Sequence, residues 1–144
     1  MLVEEIMTED FETLSRDQTL RDVIKCMLKN NVDHVVVMED DMPSAIITRR
    51  KVLMASYKLD RPPSKIPLSG FGRGLETMID PDTSVLMSVA KLQKERSECL
   101  PVVDEMEIVG VLTKDNIIEN VSNITDHIVS QDKRRDEWSY ERGN

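Results

Sequence analysis

An internal repeat is the feature that most limits how this chain can fold. When the sequence is shifted by 65 positions, residue classes match along the whole unit without a gap. Four pairs are identical: Asp17 and Asp82, Lys29 and Lys94, Val37 and Val102, and Thr48 and Thr113. One unit alone is too small to cover both faces of a sheet, so the repeat predicts two similar units that pack together.

Each unit has the pattern of a β-α-β-β-α arrangement. A short extended segment and a polar turn precede a helix, for which Thr19 and Ser84 are the predicted N-caps. A β-rich run, an acidic turn and a second short strand follow, and Thr48 or Thr113 then begins a second helix. The predicted strands are 11–14, 32–38 and 45–47 in the first unit, and 77–79, 100–103 and 110–112 in the second.

The segment between the units is predicted to be a connector. Arg61, Pro62 and Pro63 end the preceding helix, and three of the five glycines of the chain lie in the run 70–74. A glycine-rich loop can also cradle phosphate, but this run lacks the Lys-Ser/Thr ending of such loops. We therefore expect a first domain at 1–60, a linker at 61–74, a second domain at 75–128 and a polar tail at 129–144.

The charge of the chain disfavours two classes of partner. The formal net charge is −8, with −4 on each unit and zero on the last 13 residues. Such an acidic protein repels nucleic acid and anionic lipid. The sequence has no apolar run of membrane-spanning length, and its two cysteines form no disulfide framework or metal spacing. A cytoplasmic protein is expected.

Residue types that carry out catalysis are not grouped in this sequence. His34 and His127 have no partners at metal-ligand spacing, and no Ser/His/Asp or Cys/His set is evident. Cys26 and Cys99 lie within apolar patterns, where a free cysteine acts as a small hydrophobic residue. We therefore expect a protein that is not an enzyme.

The repeated pattern resembles a pair of cystathionine-β-synthase (CBS) domains, the Bateman module. The most specific segments are Leu100-Pro101-Val102-Val103-Asp104 and Gly110-Val111-Leu112-Thr113; Ile6-Met7-Thr8 and Ala45-Ile46-Ile47-Thr48 are similar to the lead-in and second strand of the family. The resemblance covers residues 1 to about 125. It implies an α+β fold in which two CBS repeats pack with pseudo-two-fold symmetry, sheets back to back and helices outside.

The resemblance also implies a function. Members of the family bind adenosine-containing ligands in clefts between the two repeats and act as energy or metabolite sensors. The candidate ligands are AMP, ADP, ATP and S-adenosylmethionine, and no cofactor is required. A homodimer and a client protein that the sequence does not identify are expected as partners.

This chain departs from the ligand-binding motif of the family, Gly-h-h-Thr-x-x-Asp. In the family the Thr begins a helix near phosphate and the Asp receives the ribose hydroxyls. Thr48 and Thr113 match the Thr, but Lys51 and Asn116 stand in place of the Asp. A lysine has no acceptor atom, so it removes the ribose contact, whereas the asparagine carbonyl only weakens it. A degenerate pair that acts as a scaffold without nucleotide is the alternative.

Basic residues at one helix start are the remaining candidates for anion binding. Arg49, Arg50 and Lys51 adjoin at a helix N-terminus, where the dipole favours acids; they indicate either a nearby anion or a solvated surface. The second unit is expected to supply the better nucleotide half-site, and Thr13 and Leu14 to match its base-edge segment in the first unit. The predicted residues of that half-site are Met78, Ile79, Leu100, Pro101, Thr113, Asp115 and Asn116.

Overall fold

Two repeated units are present in the computed structural model, which describes residues 1–71 and 77–130. The predicted α+β fold is confirmed. The first unit contains β1 (Thr13–Ser15), α1 (Leu20–Asn30), β2 (His34–Glu39), β3 (Met42–Thr48) and α2 (Arg49–Leu59). The second contains α3 (Val85–Glu95), β4 (Cys99–Asp104), β5 (Glu107–Thr113) and α4 (Lys114–Glu119), and residues 121–130 are also helical. Short 3-10 turns lie at Val3–Glu5, Pro63–Lys65 and Leu68–Gly70.

The two sheets follow the same plan, with one difference. In the first unit β1 pairs parallel with β2, which pairs antiparallel with β3. In the second, β4 pairs antiparallel with β5, and the predicted strand at 77–79 is reduced to a single parallel bridge between Ile79 and Val102. Both hairpins turn through two residues with positive φ, Asp40 and Asp41 or Glu105 and Met106, which is the geometry of a type I′ turn.

Local sequence explains where the helices begin and end. The Ser84 hydroxyl accepts from the Met87 N–H at 3.2 Å, and the Asp22 carboxylate accepts from the Thr19 N–H at 2.9 Å. Asn31 and Arg96 end α1 and α3 in the left-handed conformation, with φ of 52° and 51°. Both helices therefore stop one turn or less before the strand that follows.

Each unit completes its core with the segment that precedes the other unit. Leu68 and Ile66 are buried among the side chains of α1, β2 and β3 in the first unit. Val3 and Ile6, at the start of the chain, are buried among α3, β4 and β5 of the second. The two lead-in segments are thus exchanged between the units.

Backbone hydrogen bonds hold the exchanged segments in equivalent ways. The Ile66 carbonyl accepts from the Leu20 N–H at 2.9 Å, and the Met1 carbonyl accepts from the Val85 N–H at 3.0 Å. Residue 66 is related to residue 1 by the repeat of 65 positions, as are the two donors. The predicted linker therefore includes a core-forming segment; its residues 72–74 lie outside the described residues.

A third apolar cluster joins the two sheets. Val36 and Ile46 from the first unit are buried against Cys99 and Val111 from the second. This cluster is small, but it lies where the strands of the two units meet, with β3 in contact with both β4 and β5.

The last helical region differs from its prediction. The sequence pattern continues apolar positions from Ile117 to Val121, but α4 ends at Glu119 and Asn120 interrupts it before residues 121–130 resume a helix. Within residues 1–71 and 77–130, every helix is too short or too polar to span a bilayer. The polar tail was expected at 129–144, and residues 131–144 lie outside the described residues.

Candidate functional site

Two clefts lie between the units, at positions related by the repeat. The first cleft, of about 520 Å³, lies between the start of α2 and residues 95–101, which lead into β4. The second cleft, of about 400 Å³, lies between the start of α4 and residues 31–34, which lead into β2. Each cleft therefore takes a helix start from one unit and a strand start from the other.

Because each cleft combines parts of both units, the nucleotide half-site that was expected within the second unit is divided between the two clefts. Leu100 and Pro101 line the first cleft, together with Thr48, Arg50 and Lys51 of the first unit. Their predicted companions Thr113, Asp115 and Asn116 line the second cleft instead. The strand and the helix of one unit face different clefts, so the structure does not bring these two groups together.

In the first cleft, the start of α2 is organised by Thr48 and Lys51. The buried Thr48 caps the helix, its hydroxyl accepting from the Lys51 N–H at 3.3 Å. The Lys51 ammonium donates to the Ile46 carbonyl at 2.7 Å. Lys51, at the family's Asp position, thus lies along the end of β3 and presents a positive charge to the cleft.

In the second cleft, Asn116 takes part in a local hydrogen-bond network. Its carbonyl accepts from the Thr113 N–H at 2.9 Å, while its amide donates to the Thr8 hydroxyl at 3.0 Å. The Thr113 hydroxyl accepts from the Asn116 N–H at 3.0 Å. Asn116 therefore closes a capping box and ties α4 to the lead-in segment.

The run of three basic residues is split between the two sides of α2. The Arg49 guanidinium pairs with the Asp33 carboxylate at 2.8 Å on the surface, whereas Arg50 and Lys51 line the first cleft. The ion pair is more than half exposed and contributes little to stability. Two of the three cations therefore remain for an anion in the first cleft.

Besides Arg49, four predicted site residues line neither cleft. Thr13 is exposed on β1 and Leu14 packs against the first core. Ile79 is buried in the second core, and the Met78 carbonyl accepts from the Lys91 ammonium at 3.3 Å. These segments support the sheets at the positions where they were expected to contact a base edge.

Sequence reasoning missed the residues that precede the strands. Arg96 lines the first cleft, Thr8 and His34 line the second, and Glu98 and Cys99 line both. The signal was present in the repeat, because Asp33 and His34 are equivalent to Glu98 and Cys99. Only the exchanged packing reveals that each pair faces the helix start of the other unit.

Burial makes Cys99 a structural residue. Desolvation raises the pKa of its thiol to about 12, against the opposing effect of the Lys51 charge. A thiol with such a pKa is almost entirely protonated at neutral pH and is a poor nucleophile. Within residues 1–71 and 77–130, no group of His, Cys, Asp and Glu side chains is placed to hold a metal ion.

His34 is half-buried at the second cleft. Its Nε2 atom is buried and has no hydrogen-bond partner among the residues that the structure describes. Burial lowers the pKa of His34 below its usual value of 6.5, although the charges of Asp33 and Asp115 oppose this shift. Glu98, Glu119 and Lys114 also line this cleft.

We expect the free energy of unfolding to fall as the pH is lowered from 7 to 5, in part because of His34. Because the pKa of His34 is lower in the folded protein, the unfolded chain binds a proton at this side chain more readily than the folded protein does. The contribution of neutral His34 to stability is therefore complete above pH 6.5 and is lost as the pH falls through the folded-state pKa. Denaturant titrations of the native chain and of His34→Gln at both pH values measure this. An identical pH dependence of the two proteins would contradict it.

Comparison with known proteins now identifies the fold. The sequence profile of the CBS domain matches residues 3–58 and 76–123, which are most of the chain. The chain belongs to the CBS domain family. Its two units are a CBS pair, and the CBS domain-containing protein YhcV of Bacillus subtilis is 25% identical over 122 residues, covering 82% of this chain and 84% of that protein.

One solved CBS pair and one enzyme are also similar to this chain. The CBS pair of protein MJ0100, solved in complex with 5′-methylthioadenosine and S-adenosyl-L-methionine, superposes with a TM-score of 0.75 at 21% identity, over 85% of this chain and 97% of that chain. A homoserine O-acetyltransferase of Methanosalsum zhilinae is 27% identical over 127 residues, or 84% of this chain. The chain spans about a quarter of that enzyme's length, 24%.

Proposed function

We propose that this CBS pair is a regulatory module that binds an adenosine-containing ligand between its two units and does not catalyse a reaction. The observation that carries the proposal is the pair of equivalent clefts, each built from a helix start and a strand start of different units. A ligand that contacts both units stabilises their relative position, so binding can be transmitted to a client protein.

The first cleft offers groups suited to each part of such a ligand. Ile46, Met54 and Leu100 supply apolar surface for the base. The Glu98 carboxylate is an acceptor for ribose hydroxyls, in place of the motif Asp that Lys51 replaces. AMP, ADP, ATP and S-adenosylmethionine are the candidate ligands.

The relatives support sensing more than catalysis. MJ0100 binds adenosine derivatives as a CBS pair, and YhcV matches this chain over most of both proteins. The homoserine O-acetyltransferase matches over only 24% of its length. We therefore propose a regulatory role, with the client protein to be identified by copurification.

Calorimetric titration of the native chain with AMP, ADP, ATP and S-adenosylmethionine tests the proposed function. At least one ligand is expected to bind saturably and to raise the melting temperature, because a ligand that binds only the folded state stabilises it. No heat and no thermal shift at millimolar concentrations of all four would contradict the proposal.

A scaffold without nucleotide is the second candidate, and it has its own observation. Both motif Asp residues are absent, and the side chains that replace them bond within the protein, Lys51 to Ile46 and Asn116 to Thr8. The double variant Lys51→Asp and Asn116→Asp separates the two functions. Binding that appears only in this variant favours the scaffold, whereas binding by the native chain favours the sensor.

We also propose a homodimer that forms through the outer helices. Leu53 on α2 and Ile118 on α4 occupy equivalent positions of the repeat and are 70% and 66% exposed. Apolar side chains exposed at both positions are typical of an interface. Sedimentation is expected to give a dimer for the native chain and a monomer for Leu53→Glu, with Met106→Glu in the exposed β4–β5 turn as the control; a native monomer would contradict the proposal.

A further inference from the structure

We propose that the two clefts differ in charge so that only the first accepts a phosphate-bearing nucleotide, while the second rejects it. This inference rests on the proposed function and assigns the ligand class of each cleft. The repeat places side chains of different charge at equivalent positions around the two openings.

Formal charge differs at four of the equivalent positions that line both clefts, and at each of the four the first cleft carries the more positive residue. Arg50 in the first cleft corresponds to Asp115 in the second, and Arg96 corresponds to Asn31. The other two pairs are Lys51 with Asn116 and Met54 with Glu119. These positions carry three positive charges in the first cleft and two negative charges in the second.

The remaining charged residues do not remove this contrast. Glu95 and Glu98 reduce the formal charge of the first cleft to +1. The second cleft also contains Asp33, Glu98 and Lys114, which bring it to −3. The pairing of Asp33 with Arg49 at the surface offsets one of these negative charges, and the second cleft still remains acidic.

Side chains rather than the helix end would hold a phosphate in the first cleft. In the first turn of α2, the Arg49 N–H donates to the Asp33 carbonyl at 3.2 Å and the Lys51 N–H to Thr48. Arg50 and Arg96 come from different units and line the same cleft. Cations from both sides would therefore close on a phosphate between them.

The conformation of Arg96 allows its charge to be removed without strain. Its φ of 51° is left-handed, and its repeat counterpart Asn31 has a φ of 52°. Asparagine tolerates this conformation better than other residues that have a side chain. Arg96→Asn therefore gives the first cleft the same residue type that the second cleft has at the equivalent position. The variant is expected to be at least as stable as the native chain.

Titration of the native chain and of Arg96→Asn with AMP and with adenosine is the first test. The native chain is expected to bind one AMP. The affinity of Arg96→Asn for AMP is expected to be about tenfold lower, because the variant loses a charge-assisted hydrogen bond to the phosphate. The affinity for adenosine, which has no phosphate, is expected to be unchanged. Lys29→Gln, which removes an exposed charge near the end of α1, is the matched control.

The second test neutralises the acidic cleft. In the double variant Asp115→Asn and Glu119→Gln, a second AMP is expected to bind to each chain, because the carboxylates that repel the phosphate are gone. The control removes two exposed acids, Asp104→Asn at the end of β4 and Glu105→Gln in the turn that follows, and is expected to keep one AMP.

The outcomes separate this inference from the proposed function. Two AMP sites in the native chain, an AMP affinity unchanged in Arg96→Asn, or one site in the acid-neutralised variant would overturn the charge selection while leaving adenosine binding intact. Binding of adenosine without AMP would also overturn it. Failure of AMP, ADP, ATP, S-adenosylmethionine and adenosine to bind would contradict the proposed function itself.

Discussion

Replacement of Leu68 by Ala is expected to lower the free energy of unfolding by about 3 kcal/mol, within the range for a buried leucine. Leu68 lies between the two units in sequence, yet its side chain is fully buried in the first core with Ile66. The cavity left by the truncation is bounded by α1 and the β2–β3 hairpin, which cannot close on it without losing their own contacts.

Leu28→Ala is the matched control for this substitution. Leu28 is on α1, is 77% exposed and is replaced by a better helix former, so a change within about 0.5 kcal/mol is expected. Urea titration of both variants measures the difference. Equal and small effects would mean that the segment around Leu68 does not complete the first core, and would contradict the exchanged packing.

Replacement of Val111 by Asp is expected to have the largest effect, a loss of more than about 4 kcal/mol. Val111 is fully buried in the cluster that joins the sheets, against Val36, Ile46 and Cys99. A carboxylate there would have only apolar neighbours in that cluster. Because small domains have unfolding free energies of about 5–15 kcal/mol, the variant is expected to be partly or fully unfolded.

A milder substitution keeps this prediction measurable when the Asp variant does not fold. Val111→Thr has nearly the same shape and buries one hydroxyl, for which we expect a loss of about 1–3 kcal/mol. Met106→Asp, in the same hairpin but 72% exposed, is expected to change little. Circular dichroism and urea titration report all three, and a native-like stability of Val111→Asp would contradict the interface between the sheets.

The secondary structure was predictable because each unit carries local signals that agree with its repeat. Threonine or serine precedes each of α1 to α4, and the acidic turns at 39–41 and 104–105 separate paired strands. The strand predicted at 77–79 is not formed, because only Ile79 pairs with β4 in this part of the second sheet. Its hydrogen bonds to Pro101 and Val103 are too few to form a strand.

The exchange of lead-in segments was not predicted because it depends on contacts between residues that are distant in sequence. Val3 and Leu68 are apolar and equivalent, so the sequence indicates that both are buried. Nothing in their local pattern states which core receives them. Which core receives each segment depends on how the surfaces of the two similar units pack against each other. The hydrophobic periodicity of the sequence does not contain this information.

The residues of the candidate site also differ in whether local sequence signals could predict them. Thr48 and Thr113 were found because a cap has a local sequence signature, and both cap their helices through the side-chain hydroxyl. Arg96 and Glu98 were missed, because their contribution requires the strand start of one unit to face the helix start of the other. The charge of each cleft is a property of that pairing.

A titration of the ¹⁵N-labelled chain with AMP, followed by amide chemical shifts, tests the central claim most directly. Saturable shifts are expected at Thr48–Lys51 and at Ser97–Leu100, two segments that are distant in sequence and line the first cleft together. Much smaller shifts are expected at Thr113–Asn116 in the second cleft. The absence of saturable shifts, or shifts confined to the outer surfaces of the helices, would contradict ligand binding between the two units.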